Sequence, residues 1–254
     1  QGSAGLRFDP EADFNGDGSF GIQASTGASV DDLGGSTVTT TIAVTAVNDI
    51  PTFSIGSNQS VDEDVLALTV PNWASDISPG SSDESGQTLT FTLSNDNNAL
   101  FSSQPTVNSD GDLIYTPVAD AYGSATVSIY LSDDGGTANG GVDETSTSTF
   151  TIAVTPVADT PSITDASTLE DTQSTSGLVI SRNAVDGSEV THFKITEITN
   201  GSLYQQDGVT GISEDDFITY AQGSAGLRFD PEADFNGDGS FGIQASTGAS
   251  VDDL

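Results

Sequence analysis

The chain has 254 residues, of which 38 are acidic and four are basic, giving a formal net charge of −34. This charge excludes nucleic acid and anionic membranes as partners, because almost nothing in the chain can neutralise phosphate. The absence of cysteine excludes disulfides, thiolate metal sites and thiol catalysis. No apolar run approaches the roughly 18 residues of a membrane helix, so we expect no membrane insertion in this segment.

Apolar and polar residues alternate in short stretches along the chain, and this period of two predicts half-buried β-strands. In chain order the stretches are 38–46, 89–93, 127–131, 150–154, 193–195 and 241–245. Clusters of Gly, Asn, Asp and Ser separate them, and no helix is predicted. The spacing is typical of sandwiches with about seven strands and about 100 residues each, so the chain suits two or a little more. We predict an all-β fold of tandem antiparallel β-sandwich modules.

Two internal repeats organise the sequence. Residues 1–33 recur unchanged at 222–254, which indicates a tandem array with a long period. Within that period, TIAVTAVNDIPTF at 41–53 resembles TIAVTPVADTPSI at 151–163, and FDPEADFNGDGSF at 229–241 resembles YTPVADAYGSATV at 115–127. Three segments follow: the last part of a second-type module at 1–48, a complete first-type module at 49–158, and a second-type module lacking its last strand at 159–254. We expect neither partial module to close a full core by itself.

Several short strings occur in an order that resembles a known family. They are AVNDIP before an acidic SVDEDV, then LTFTL, YTP, LSDDGG and TFTIAVTPV. In this order they resemble the cadherin-like repeats of giant bacterial surface adhesins, and LEDT, VTHFKITEITNGSLY and DFITYAQGSAGLRFDPEADFNGDGSF resemble a companion module of the same proteins. The resemblance covers essentially the whole chain. It implies Ig-like or cadherin-like β-sandwiches, stiffened by calcium, in a stalk that projects an adhesive end from the cell.

The resemblance also implies calcium at the junctions between modules. The residues that it assigns to calcium are Asn48, Asp49, Glu63, Asp76, Asp83, Glu84, Asp133, Asp159, Glu170, Asp186 and Glu189. Two positions depart from the family pattern, because Ala158 replaces an expected Asn and the second-type module has Ser246-Thr247-Gly248 in place of its late acid. Calcium requires six to eight oxygen ligands, which acids from two adjoining modules can supply.

The motif DFNGDG occurs twice and matches the start of an EF-hand calcium loop. Its oxygen-bearing residues are Asp13, Asn15 and Asp17 in the first copy and Asp234, Asn236 and Asp238 in the second. The match ends early, because Ala24 and Ala245 stand where the loop needs a bidentate Glu. Asn-Gly and Asp-Gly also favour a plain hairpin turn, so both interpretations stand.

No motif predicts an enzyme active site. The single histidine, His192, lies in a predicted strand without an evident nucleophile. Acid pairs such as Asp215 and Asp216 are expected by chance among 38 acids. The aromatic residues that could stack on a sugar are Trp73, Tyr115, Tyr122, Tyr130 and Tyr204, although core or edge positions explain them equally.

We therefore expect a non-enzymatic stalk segment of a calcium-dependent extracellular adhesin, secreted or on the bacterial surface. The expected partners are neighbouring copies of the same repeat and an unidentified surface ligand of the parent protein. One alternative is a self-assembling filament, in which strand 36–47 of one copy completes residues 159–254 of its neighbour. In a continuous array that join would be covalent. A carbohydrate-binding module is the other alternative.

Overall fold

The computed structural model describes residues 6–254 and shows a nearly all-β chain, which confirms the predicted fold class. The strands are β1 Gly16–Ser25, β2 Leu33–Val44, β3 Thr52–Ser54, β4 Gln59–Asp62, β5 Leu68–Val70, β6 Ser75–Ser78, β7 Thr90–Asn95, β8 Phe101–Val107, β9 Leu113–Pro117, β10 Gly123–Ser132, β11 Ser148–Thr155, β12 Ser162–Ile163, β13 Ile180–Ser181, β14 His192–Thr199, β15 Gly201–Tyr204, β16 Gly211–Ile212, β17 Phe217–Thr219, β18 Arg228–Pro231 and β19 Ser240–Ser246. The α-helix of the described chain is α1, Tyr220–Ser224. A strand is present at each stretch where alternation predicted one.

The helix α1 corrects the prediction that the chain has none. The backbone N–H of Gln222 donates to Thr219 Oγ1, and the N–H of Thr219 donates to Gln222 Oε1. This reciprocal capping box satisfies two donors that a helix leaves free at its start. Because the helix is five residues long, it shows no periodic pattern that a sequence could reveal.

Residues 52–155 form a β-sandwich, here called the central sandwich. One sheet has the order β4-β11-β10-β7 and the other β5-β9-β8, while β3 pairs with β6. The pairings are antiparallel, except that β4 runs parallel to β11. The two sheets pack face to face, with Leu113 and Tyr115 of β9 against Val127, Ile129 and Ile152 of the other sheet.

Residues 162–246, here called the C-terminal β-region, bury a cluster of their own. The sheets have the orders β17-β14-β19, β16-β15-β18 and β12-β13. Phe193, Ile195, Leu203 and Leu227 lie at the centre of the cluster and are at most 2% exposed. The segment therefore has a core of its own, and the expectation that it does not close a full core by itself stays a prediction. Within the described chain, however, β19 is an edge strand that pairs only with β14.

Strands β1 and β2 form an antiparallel hairpin, here called the N-terminal hairpin. Its register runs from Gly16↔Val44 to Ser25↔Leu33, with one irregularity. Gly18 is the one buried residue of the two strands. The hairpin has no hydrophobic core of its own, and an isolated two-stranded hairpin is at best marginally stable in water.

Candidate metal junctions

Three carboxylates converge where the central sandwich meets the C-terminal β-region, a place here called the second junction. Asp64, Asp120 and Asp159 each place one carboxylate oxygen within 4.8 Å of the others. Asp64 lies just after β4, Asp120 after β9, and Asp159 in the linker before β12. The backbone N–H of Asp120 donates to Asp64 Oδ1 at 2.9 Å. Negative charges at this distance repel one another, so the cluster can hold a metal cation.

Glu63 adds a buried carboxylate to the second junction. Its side chain is 5% exposed, and its Oε1 accepts the backbone N–H of Val157 at 2.8 Å. Oε2 is buried without a hydrogen-bond partner. Burial raises the pKa of Glu63, the Val157 N–H opposes the rise, and the nearby charge of Asp64 adds to it. The site therefore disfavours the bare carboxylate charge.

The C-terminal β-region supplies the other side of the second junction. The backbone N–H of Asp159 donates to Asp186 Oδ1 at 3.1 Å. Burial, followed by the charge of Asp186, raises the pKa of Asp159. Burial also raises the pKa of Glu189, but backbone N–H groups of Glu189 and Gly187 oppose this and bring its pKa below the ordinary value.

A second group of oxygens lies around the linker that precedes the central sandwich, here called the first junction. Asn48 Nδ2 donates to Asp133 Oδ1 at 2.9 Å, and Asn48 Oδ1 accepts from Gln87 Nε2 at 2.6 Å. The backbone N–H of Asp49 donates to Glu84 Oε1 at 2.8 Å. Asp49 and Glu84 thus repeat the arrangement of Asp159 and Asp186 at the second junction.

The DFNGDG loop of the N-terminal hairpin also reaches the first junction. Asn15 Nδ2 donates to Asp83 Oδ2. Hydrogen bonds from Ser81 Oγ, from the backbone N–H of Asp83 and from Asn15 lower the pKa of Asp83. A cavity of about 270 Å³ lies here between Asn15, Asn48, Asp83 and Glu84. Asn15 therefore faces the first junction.

Gly80 leaves room for the carboxylate of Glu84. Its φ of +144° is unfavourable for residues with a side chain, and a Cβ added there would collide with Glu84 Oε2 and with the side chain of Asp49. The glycine at position 80 therefore leaves space for the carboxylate oxygen of Glu84.

Buried oxygens without partners concentrate at the two junctions. Within residues 6–254, seven buried side-chain polar atoms have no hydrogen-bond partner, and six of them lie at the junctions. These six are Glu84 Oε2, Gln87 Oε1 and Asp133 Oδ2 at the first junction, and Glu63 Oε2, Asp186 Oδ2 and Glu189 Oε2 at the second. The seventh is the hydroxyl of Tyr115 in the core. Leaving a buried carboxylate oxygen unpaired costs free energy, which a bound cation would remove.

The remaining predicted ligands have other contacts or lie on the surface. Asp76 Oδ2 accepts from Ser54 Oγ at 2.9 Å, and Asp76 is not among the three clustered carboxylates. Asp13 lies in an exposed turn, and Asp17 is exposed on β1. Glu170, Asn236 and Asp238 line a groove of the C-terminal β-region. The backbone N–H of Asp234 donates to Asp171 Oδ1, as that of Asp120 does to Asp64.

Sequence reasoning missed Asp64, Asp120 and Gln87. The signal for Asp120 was present, because it aligns with Asp13 and Asp234 in the repeat FDPEADFNGDGSF. The first-type module lacks the later acids of DFNGDG and keeps only the first, which is Asp120. Asp64 directly follows Glu63, and Gln87 carries no charge that would distinguish it.

Two of the five aromatic residues that could stack on a sugar are buried in the central sandwich. Trp73 and Tyr115 are at most 5% exposed, and Trp73 Nε1 donates to Ser57 O within the sandwich. Tyr122, which is 42% exposed, contacts the junction residue Glu189. His192 Nδ1 lies 2.8 Å from the hydroxyl of Thr191, and the neighbouring Lys194 forms an ion pair with Asp215.

Comparisons with known proteins show distant likenesses. No family model matches the chain, and no curated protein does. Among solved structures it is similar to EC1-2 of chicken VE-cadherin, with 14% identity, a TM-score of 0.34, and coverage of 75% of this chain and 96% of that one. It is also similar to the FN1-FN3 domains of chicken CNTN1, with 12% identity, a TM-score of 0.25, and coverage of 91% and 71% respectively. Within the described chain, no helix has the length and apolar character needed to cross a bilayer.

Proposed function

We propose that this chain is a stalk segment of an extracellular, calcium-dependent adhesion protein of the bacterial-surface type, in which calcium at the two junctions holds successive β-sandwich units in line. The supporting observation is the concentration of unpartnered buried oxygens at the junctions. In a chain that carries 38 acids, most acids can remain solvated at the surface. Burying them together at two linkers is costly unless a cation is present.

The chemistry of the donors favours calcium over other metals. Carboxylate and amide oxygens make up the two groups, and the chain has no cysteine and one histidine. Zinc and copper favour nitrogen and sulfur ligands, whereas calcium takes six to eight oxygens at about 2.3–2.6 Å in flexible geometry. Extracellular calcium modules bind with dissociation constants of about 10⁻⁴–10⁻³ M, so millimolar calcium is the range in which the junctions should fill.

Calcium at the second junction would act as a mechanical link. Glu63, Asp64 and Asp120 belong to the central sandwich, whereas Asp159 and Asp186 belong to the linker and the C-terminal β-region. A cation bound between these groups attracts both sides at once. Without it, the same carboxylates repel and favour separation at the linker. The junction would therefore be stiff with calcium and loose without it.

Calorimetric titration of the chelator-stripped chain with calcium, followed by thermal unfolding, tests this proposal. We expect uptake of at least one ion at the second junction and a rise in Tm, because ligand that binds only the folded state stabilises it. Magnesium is the control, and we expect weaker binding, since its compact octahedral geometry does not suit the spread of oxygens. Absence of uptake at millimolar calcium would refute the proposal.

A further inference from the structure

The C-terminal β-region contains a groove beside its edge strand. Segments 163–174 and 229–241 form its two walls, and its volume is about 1320 Å³. Apolar side chains at its base include Ile163, Leu178, Phe229 and Phe241, which belong to or pack against the buried cluster of this region. The groove is therefore an opening in the core and not a surface depression.

The central sandwich has a strand in the equivalent place. There β11 lies between β10, with which it pairs antiparallel, and β4, with which it pairs parallel. Its residues Ile152 and Val154 are at most 3% exposed and close the core. In the C-terminal β-region, β19 corresponds to β10 and segment 166–169 corresponds to β4, but segment 166–169 forms no strand. The groove is thus the position of one strand.

The N-terminal hairpin shows which sequence fits that position. Strand β1 has the same sequence as residues 237–246, which contain β19, and it pairs with β2. The register is that of the central sandwich, because Gly16↔Val44 repeats Gly123↔Val154 and Ile22↔Val38 repeats Ile129↔Ser148. In the hairpin, where β2 is its partner, this sequence forms a strand from Gly16 onward. In the C-terminal β-region, where that partner strand is absent, the same sequence forms a strand only from Ser240, three residues later.

We propose that the groove binds residues 34–44 of a second copy of this chain, as a strand inserted between β19 and segment 166–169. The register of the hairpin places Thr41 of the second copy beside Ser240 and Thr40 beside Phe241. Ile42 and Val44 then occupy the places that Ile152 and Val154 occupy in the central sandwich. A main-chain ladder supplies affinity in such strand addition, and alternate side chains supply specificity.

The exchanged form of β2 has more main-chain pairing and more burial than the hairpin. In the hairpin, β2 pairs with β1 on one edge, and its residues are exposed or half-buried. In the groove, β2 pairs with the identical sequence of β19, gains segment 166–169 on its other edge, and buries Ile42 and Val44. The ladder to β1 is thus traded for an equal one, while the core contacts are added. Exposed apolar area removed from water favours the exchanged form.

The second copy binds through its N-terminal strand to the C-terminal region of the first. One copy therefore supplies the strand and the other supplies the groove, so the contact is head-to-tail. Such heterologous contacts build open chains of copies unless they close into a ring. The proposal does not depend on calcium at the junctions.

Paired cysteines test the register directly, because the natural chain has none. In the variant Ser240→Cys with Thr41→Cys, the exchanged register places the two Cα atoms at about 4.5–5.5 Å, within disulfide range. We expect dimers and a ladder of higher species on a non-reducing gel after mild oxidation. Thr41 and Ser240 are both exposed, so the substitutions leave the cores intact.

Two matched variants control for random oxidation. Ser19→Cys with Thr41→Cys uses the register of the hairpin; we expect an internal disulfide, a locked hairpin and a monomer of 25.9 kDa. Ser240→Cys with Thr37→Cys displaces one cysteine by about 13 Å along the strand, and we expect little ladder. Equal ladders from the in-register and out-of-register pairs would overturn the proposal.

Light scattering of the cysteine-free chain gives an independent test. We expect the average mass to rise with concentration above that of the monomer. The variant Ile42→Asp places a charge in the core of the exchanged form but on a half-exposed face of the hairpin, so we expect it to stay monomeric. Thr39→Asp adds the same charge to the opposite face, and we expect assembly to persist. A monomer at all concentrations for the natural chain, or equal assembly of both variants, would overturn the proposal.

Discussion

Glu63 has one carboxylate oxygen bonded to a backbone N–H and one buried oxygen without a partner. Replacement by glutamine keeps an acceptor for Val157 and removes the charge. In chelator, we expect Glu63→Gln to stabilise the fold by about 1 kcal/mol, the scale of an unsatisfied buried polar group. In saturating calcium, we expect the same variant to lose most of the stabilisation that calcium gives. Thermal unfolding in both conditions measures the two effects.

The pH dependence of this variant provides its control. The pKa of Glu63 is raised in the fold, chiefly by burial, so the folded state binds that proton more tightly than the unfolded state. The stability of the natural protein then falls as pH rises through the folded-state pKa. Glutamine does not titrate. In chelator, the difference in free energy of unfolding between the variant and the natural chain should therefore be largest at neutral pH and disappear below about pH 4.3. A gap that is independent of pH would contradict this account.

Asp120 and Asp76 are the two residues for which the structure and the family resemblance give different metal-site assignments. The family resemblance assigned Asp76 to calcium, whereas the structure places Asp120 in the carboxylate cluster and Asp76 beside Ser54. Both residues have positive φ, a conformation that Asn also tolerates. We expect Asp120→Asn to weaken calcium binding about tenfold, the effect of about 1.4 kcal/mol, and Asp76→Asn to leave it unchanged. Calorimetric titration measures both, and equal effects would contradict the assignment.

At this scale the sequence indicated many of the polar side chains that lie around the linkers. Asn48, Asp49, Glu84 and Asp133 form one bonded group, as their placement around the linker suggested. The sequence could not show that Asp76 turns away, because that depends on the pairing of β3 with β6. Whether these residues bind calcium stays a prediction.

At the scale of elements, the hairpin β1–β2 and the pair β10–β11 share a register but differ in support. The second pair lies in a four-stranded sheet over a buried core, whereas the hairpin lacks both. We therefore expect backbone amides of β1–β2 in the dilute monomer to exchange hydrogen about 100-fold faster than matched amides of β10–β11, because local opening costs less. Hydrogen exchange resolved by residue measures this, and equal protection would contradict the marginal hairpin.

The strands were easier to predict from the sequence than the way in which they pack to form a buried core. Alternation along β10, with Val127, Ile129 and Leu131 buried, is a local property that the sequence displays directly. The core of the C-terminal β-region depends on contacts between distant segments, such as Phe193 with Ile218 across β14 and β17. Those contacts bury a cluster even though β19 has a free edge, and no local pattern contains that information.

For the whole molecule, calcium should change stiffness more than secondary structure. Acids on both sides of the second junction repel one another without a cation, and a bound cation would join them. We expect X-ray scattering of the Ile42→Asp monomer to show a larger average maximum dimension in calcium than in chelator, with a narrower spread around it. The circular dichroism spectrum should be the same in both conditions. Adding Asp120→Asn should reduce this difference. Identical scattering in the two conditions would contradict calcium-dependent stiffening.

Calcium binding and strand exchange should also be coupled. Glu170, Asp171 and Asp234 stand at the end of the C-terminal β-region as Glu63, Asp64 and Asp120 do in the central sandwich. Asp49 follows Val44 by the same five residues that separate Asp159 from Val154. A strand donated by a second copy would therefore bring the Asp49 of that copy to these acids and build a junction like the second one.

Assembly should consequently be stronger in calcium than in chelator, because calcium held by acids of both copies would bind the joined form better than the separate copies. We expect Asp171→Asn to reduce this calcium effect about tenfold while leaving assembly in chelator intact. Ile42→Asp should abolish assembly in both conditions, since it acts on the strand itself. Light scattering over a range of concentrations, with and without calcium, separates the two roles. If Asp171→Asn leaves the calcium effect unchanged, the inserted strand does not bring Asp49 to the acids of the groove, and strand exchange proceeds without a metal junction.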